Sequence, residues 1–382
     1  MTSSAAMAEF DPAAFCVPGV RQLRPYEPGK PIAELERELG LKDIIKLASN
    51  ENPLGASPKA LAAMKAALDG VSLYPDGNAF ALKRALADYH RIDTACITVA
   101  TGSDHILELM ARVFLGPGRS AVISRYSFAI YNIVAQAAGA EVLVAEAHPP
   151  SHKSQPYGHD LAAMTARVRG DTRVVFIANP NNPTGTWVNR RELGAFLERL
   201  PRDTLLLLDE AYCDYAAPFE PEYPDGRGLL GDFPNLIVMR TFSKAYGLAG
   251  ARVGYALAHP KVTELLNRVR LSFNPSSLGQ AGAAAALTDR EHIQKTIELN
   301  HREIRRLEAG LKDLGLVTIP SVCNFVTAHL GRPGREVFQA LLKQGVIVRP
   351  LDGYGLPEHL RISVGLPEQN QRLLGALKTI LV

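Results

Sequence analysis

The 382-residue sequence is poor in several features that would each define a class of protein. Cysteine is scarce. Cys16, Cys96, Cys213 and Cys323 lie far apart and form no Cys-x-x-Cys pair, which excludes a disulfide framework or zinc ribbon and fits reduced thiols. Cys213 adjoins a motif described below, and burial as an inert thiol accounts for it. The charges nearly cancel: the net charge of +3 is too small a bias for a nucleic-acid or acidic-membrane surface. No apolar run reaches the roughly 20 residues that span a bilayer. The stretch Met1 to Phe10 lacks a basic segment followed by an apolar one, which argues against a secretory leader, and its small residues predict a frayed end. No Gly-x-Gly-x-x-Gly follows an early strand, so a nicotinamide-dependent dehydrogenase is a poor fit. Tandem repeats and low-complexity linkers are absent too.

What is present describes an ordinary globular chain, 47% hydrophobic and 21% charged, long enough for two domains. Ala121–Ser124, Val174–Ala178, Leu205–Leu208 and Leu236–Met239 are short continuous apolar runs, as expected for strands of a parallel sheet covered on both faces. Between the second and third lies Asn189-Arg-Arg-Glu192, a capping-box pattern that predicts a helix to Leu200. Strand, helix, strand in this order implies right-handed βαβ units. Ser57-Pro58 predicts a helix to Leu68. Ile293, Ile297, Ile304, Leu307, Leu311 and Leu314 predict a long amphipathic helix from Asp289, stopped at Gly315. Asn324–His329, Gly345–Arg349 and Leu360–Val364 predict strands of a smaller α+β unit, against which the segment to about Lys46 could pack.

Several polar clusters follow predicted strands directly. In open α/β sheets ligands bind at the carboxyl ends of strands, so these clusters are expected to converge. Asn179-Pro-Asn-Asn-Pro-Thr-Gly185 is either an ordinary turn or a rigid loop that presents side chains. Asp209, at the end of Leu205-Leu-Leu-Leu-Asp-Glu-Ala-Tyr212, needs a partner because an unpaired buried carboxylate is costly. That partner is either a local donor or a protonated ring nitrogen. Thr241-Phe-Ser-Lys-Ala-Tyr-Gly-Leu-Ala-Gly-Ala-Arg252 combines two hydroxyls, a lysine and an arginine, which suits a phosphate and an aldehyde bound together. Thr101-Gly-Ser-Asp104 precedes a helix expected near His105, and is either a plain cap or an anion site.

Taken in order, these clusters resemble the fold-type I aminotransferases that use pyridoxal 5′-phosphate (PLP), and within them most closely the histidinol-phosphate aminotransferases. The resemblance covers nearly the whole chain. It runs from Leu47-Ala-Ser-Asn-Glu-Asn-Pro-Leu-Gly55 and Tyr74-Pro-Asp-Gly77 through the four clusters to Gly345-Val-Ile-Val-Arg-Pro350 and His359-Leu-Arg-Ile-Ser-Val-Gly365. It implies an α/β fold: a large domain over 47–260 with a mostly parallel sheet flanked by helices, and a smaller α+β domain from 1–46 and 261–382.

The resemblance also implies roles. Lys244 would carry the cofactor as a Schiff base and shuttle a proton. Asp209 would pair with the pyridine nitrogen, and Tyr212 and Asn182 with the phenolic oxygen. Thr241, Ser243 and Arg252 would hold the phosphate, with Ser103 and Asp104 at the helix start and Tyr74 reaching in from a partner subunit of a homodimer. Phe128 would stack on the ring, where many relatives have Tyr. Arg361 and Arg349 would bind the substrate's anionic end, since a guanidinium pairs bidentately with phosphate or carboxylate. A surface ion pair is the competing reading of Arg349. Tyr26 and Asn52 would line the substrate pocket. Many relatives carry Asp after the arginine of the Val-Arg motif, where this chain follows Arg349 with Pro350. The implied reaction is transamination between L-histidinol phosphate and 2-oxoglutarate in histidine biosynthesis, in the cytoplasm. An aromatic-amino-acid aminotransferase is the nearest rival, followed by a PLP decarboxylase of a phosphorylated amino acid.

Overall fold

Seven strands form the central sheet of the computed structural model, which describes residues 10–21 and 23–381. The expected fraying of the first residues therefore lies mostly outside the described residues. In spatial order the strands are Ile97–Ala100, Gly254–Ala258, Leu236–Thr241, Leu205–Asp209, Thr172–Ala178, Ser120–Ser124 and Glu141–Ala145. All run parallel except Gly254–Ala258, which is antiparallel to both neighbours.

The four strands expected from continuous apolar runs are all present and extend by a residue or two. Their burial explains the runs. Leu206, Leu208, Val175, Ile177 and Val238 face one core cluster, while Leu207, Val174, Phe176, Ile237 and Met239 face the other. Each face thus takes alternate residues, and each fully buried leucine contributes about 1.5–3 kcal/mol. Three strands of this central sheet escaped the reading. Ile97–Ala100 has only four residues, Gly254–Ala258 is made largely of Gly and Ala, and Glu141–Ala145 is a partly exposed edge.

Helices begin where their caps predict. Asn189 and Glu192 form both bonds of a capping box at the helix Arg190–Arg199. Ser57 accepts from Ala60 N at the start of Pro58–Ala66. Asp289 caps Arg290–Asp313, and Gly315 follows with φ of +78°. Past residue 260, apolar packing on the central sheet continues. Val262 and Leu266 join one of its clusters, and Ala283, Ala286 and Leu287 the other.

A second, four-stranded antiparallel sheet has the order Arg349–Leu351, Leu356–Ser363, Phe325–His329, Val317–Ile319. The single strand expected at Gly345–Arg349 is divided. Val346–Ile347 pairs in parallel with Ile45–Lys46, and Arg349–Leu351 is an edge of the antiparallel sheet. Pro350 has no N–H to give a ladder, so an edge position with an irregularity at Pro350/Leu351 suits it. The same pairing, with a cluster of Leu35, Ala48, Leu342 and Ile347, joins the segment before residue 47 to the C-terminal unit. Among the described residues, no helix is long and apolar enough to cross a membrane.

Candidate active site

The carboxyl ends of five parallel strands converge on one cavity of about 200 Å³. Ile97–Ala100 leads to Ser103 and Asp104, Ser120–Ser124 to Phe128, and Thr172–Ala178 to Asn182. Leu205–Asp209 delivers Asp209 and Tyr212, and Leu236–Thr241 delivers Thr241, Ser243 and Lys244. The small sheet closes the cavity with Arg349 and Arg361, and the N-terminal segment adds Tyr26, Ser49 and Asn50.

One end is a cradle of anion donors. Ser103 opens the helix Ser103–Phe114, whose free amides and dipole favour negative charge. Arg252 Nη1 lies 3.3 Å from Ser243 Oγ and 3.1 Å from the Ala249 carbonyl, and Arg252 Nη2 lies 3.6 Å from Asp104. Thr241 Oγ1 accepts from Ser243 N at 3.1 Å. Two glycines make the approach possible. A Cβ on Gly102 would collide with Arg252 Nη2, and one on Gly254 with Ser103 N.

Asp209 is 7% exposed. Its Oδ2 accepts from the Tyr131 hydroxyl at 2.6 Å and its Oδ1 from Ala211 N at 3.1 Å. Burial raises its pKa to about 6, against the pull of those two donors. Among the described residues it forms no ion pair. Lys244 has its pKa lowered to about 8, first by desolvation and then by Arg361. Its Nζ donates to the Ser49 carbonyl at 3.0 Å. A primary amine near neutrality, a buried carboxylate lacking a cation and a four-donor cradle together fit a phosphate-bearing aldehyde with a basic ring nitrogen.

On the other wall Arg361 is 4% exposed. It donates to Asn182 Oδ1 at 2.5 Å and to the Ala48 carbonyl at 2.6 Å, while its Nε has no hydrogen-bond partner among the described residues. Arg349 sits directly opposite Arg361 in the antiparallel ladder. Its guanidinium lies 5.4 Å from the centre of the Tyr26 ring and, among the described residues, forms no ion pair, so the surface-pair reading fails. Tyr26 in turn meets the edge of Phe128 at 6.2 Å.

Most of the expected residues meet in this cavity; two do not. Asn52 lies outside it. Its Nδ2 donates to the Ala245 carbonyl at 2.9 Å and to Thr296 Oγ1 at 3.0 Å, and its Oδ1 accepts from Leu54 N, so it is a tether rather than a pocket wall. The pocket residue of that motif is Asn50. Its φ of +56° turns the chain inward, a conformation asparagine tolerates better than most residues. Tyr74 is 81% exposed and stacks on Phe273 at 4.4 Å, away from this cavity. Asn182 and Tyr212 line the cavity, with Asn182 engaged by Arg361 and Tyr212 accepting from Asn50 Nδ2 at 2.9 Å. Sequence reasoning missed Asn50 and Tyr131. Tyr131 lies three residues after Phe128 at a helix start, a spacing that puts both on one face and could have found it.

The model of the aminotransferase class I and II family matches residues 42–377. Histidinol-phosphate aminotransferase 2 of Pseudomonas fluorescens is 53% identical, over 96% of this chain and 98% of that one. Its counterpart in Methylococcus capsulatus is 54% identical over the same shares. The structure of the Sinorhizobium meliloti histidinol-phosphate aminotransferase in complex with pyridoxal-5′-phosphate superposes with a TM-score of 0.85 at 30% identity, covering 99% of each chain.

Proposed function

Because the chain belongs to the class I and II aminotransferases, we infer that it transfers an amino group between L-histidinol phosphate and 2-oxoglutarate, a step of L-histidine biosynthesis, with PLP as its cofactor. The observation that carries the substrate class is the facing pair Arg349 and Arg361. Like charges directly opposite on a ladder repel, and a bound anion between them removes the penalty.

The cofactor supplies an aldehyde that takes the amino group and a ring that withdraws electrons. Lys244 Nζ is the attachment point and the base that takes the donor's α-proton and returns it, a task its lowered pKa suits. Asp209 would hold a proton at the ring nitrogen, and the donors Tyr131 and Ala211 N aim that carboxylate and favour its ionised form. With the cofactor bound, Tyr212 and Asn182 would pair with the ring's phenolic oxygen, and Phe128 would lie against the ring. Thr241, Ser243, Arg252, Ser103 and Asp104 hold the phosphate end. Arg361 and Arg349 clamp the phosphate of histidinol phosphate or a carboxylate of 2-oxoglutarate, with Tyr26 beside them. The cofactor-binding unit, drawn at 47–260, takes in the helices to Ala286 that share its core, and of the segment before it, Ile32–Leu39 and Ile45–Lys46 pack with the C-terminal unit while Tyr26 meets Phe128 of the cofactor-binding unit.

The reading includes a homodimer. Val71, Leu73, Tyr74, Phe80, Leu271 and Phe273 are 66%, 73%, 81%, 66%, 56% and 47% exposed, more apolar surface than a lone chain favours. A second copy would cover this face and receive Tyr74 at its phosphate end. A cytoplasmic location is part of the same proposal, in keeping with four unlinked cysteines. A donor screen with 2-oxoglutarate tests the reaction. Histidinol phosphate is expected to give the highest kcat/KM; a higher value for phenylalanine or tyrosine would move the assignment to the aromatic rival, and carbon dioxide release without keto product to a decarboxylase.

A further inference from the structure

A tyrosine hydroxyl has one hydrogen, and its neighbours decide where that hydrogen points. Asn50 Nδ2 donates to the Tyr212 hydroxyl at 2.9 Å. The Asn50 amide is itself held. Ser363 Oγ accepts from Asn50 N at 2.8 Å and donates to Asn50 Oδ1 at 2.9 Å. With its hydrogen committed to Oδ1, Ser363 leaves Nδ2 as the end of the amide that meets Tyr212. Turning the amide over would take that acceptor from Ser363 and draw the Tyr212 hydrogen onto Asn50. The backbone is fixed as well, since Asn324 Nδ2 donates to the Asn50 carbonyl at 3.0 Å. Asn50, Tyr212, Asn324 and Ser363 are 1%, 4%, 1% and 3% exposed, so water does not compete for these bonds.

We propose that Asn50 and Ser363 are positioning residues that aim the Tyr212 hydroxyl hydrogen into the pocket, toward the phenolic oxygen of the cofactor ring. The proposal rests on the reading that this pocket holds PLP with Tyr212 at that oxygen. It separates two asparagines of one motif: Asn50 orients a donor, and Asn52 ties the loop to Ala245. It also gives the strand Leu356–Ser363 two tasks on one face, since Arg361 and Ser363 are two residues apart and both turn to the site.

The test is a pH titration of the visible absorption band of the cofactor bound to the full-length protein. Losing the donor leaves charge on the ring oxygen less compensated, so the neighbouring proton is held more tightly and the midpoint rises. Asn50→Asp keeps the size but puts an acceptor where the donor was. Made on wild type, it changes both orientation and charge; made on Tyr212→Phe, it changes charge alone. The first shift is expected to exceed the second by about one pH unit, tenfold in proton affinity. Equal shifts in both backgrounds would overturn the proposal. Ser363→Ala, which frees the amide without adding charge, serves if Asn50→Asp does not fold. It is expected to raise the midpoint on wild type and not on Tyr212→Phe; an unchanged midpoint on wild type would also overturn the proposal. If the wild type binds PLP without a borohydride-reducible link to Lys244, the cofactor reading itself fails, and this proposal with it.

Discussion

The two walls of the pocket are built differently. On the central-sheet wall the polar groups already have partners: Asp209 has Tyr131 and Ala211 N, Thr241 has Ser243 N, and Arg252 has Ser243 and the Ala249 carbonyl. On the small-sheet wall, among the described residues, Arg361 Nε has no hydrogen-bond partner, and Arg349 meets the face of Tyr26 without an ion pair. A wall whose groups hold one another in place suits a molecule that stays. A wall with unmade hydrogen bonds suits one that arrives and leaves.

Lys244 faces both walls, and its loss is expected to have the largest effect. Lys244→Ala is expected to lower kcat by roughly 10³ or more, the scale of a lost general base together with the attachment point. Single-turnover rates with purified protein would show it, and a loss under tenfold would remove Lys244 from the chemistry. Asp209 tests the central-sheet wall alone. Its pKa is about 6 in the fold against 3.8 for an ordinary aspartate. Between those values the cofactor-free native state binds more protons than the unfolded chain, so Asp209's contribution makes stability fall as pH rises through that window. The loss is on the order of 3 kcal/mol, complete above about pH 6. Asp209→Asn should flatten that part of the urea-midpoint profile against pH. A wild-type slope kept by the variant would mean that Asp209 is not the strained group.

Much of the central-sheet wall was legible in the sequence for a physical reason. Parallel strands buried on both faces read as unbroken apolar runs, and ligand groups follow them at once, so Asp209, Lys244 and Asn182 announce their places. The small-sheet wall was less legible. Arg349 faces Arg361 only because the chain changes sheets at Val348 and pairs in an antiparallel register, which no local pattern encodes. Asn50 was passed over for Asn52 because the choice depends on one left-handed residue. The aromatic pair Tyr74 and Phe273 joins segments about 200 positions apart.

The two arginines of the small-sheet wall are expected to have the next largest effects. Arg361→Ala removes the buried guanidinium and is expected to cost roughly 100-fold in kcat/KM for donor and acceptor alike. Arg349→Ala, at the more open position, is expected to cost roughly tenfold, mostly in KM, and more for histidinol phosphate than for a donor without phosphate. Steady-state rates with both donors separate the cases. An unchanged KM for histidinol phosphate would take Arg349 out of the site.

The smallest kinetic effect is expected at Asn52, and it tests whether a residue two positions from the pocket belongs to either wall. Asn52 makes its bonds to the Ala245 carbonyl, Thr296 and Leu54 N in buried surroundings. Asn52→Ala leaves the Ala245 carbonyl without that donor, so stability should fall by about 1–3 kcal/mol. A urea titration of the holoprotein would show this as a lower midpoint with the slope kept. Because Asn52 meets neither cofactor nor substrate in this arrangement, kcat/KM of the folded fraction should stay within about threefold of wild type. A large rise in KM with stability unchanged would return Asn52 to the pocket and remove the distinction between its role and that of Asn50.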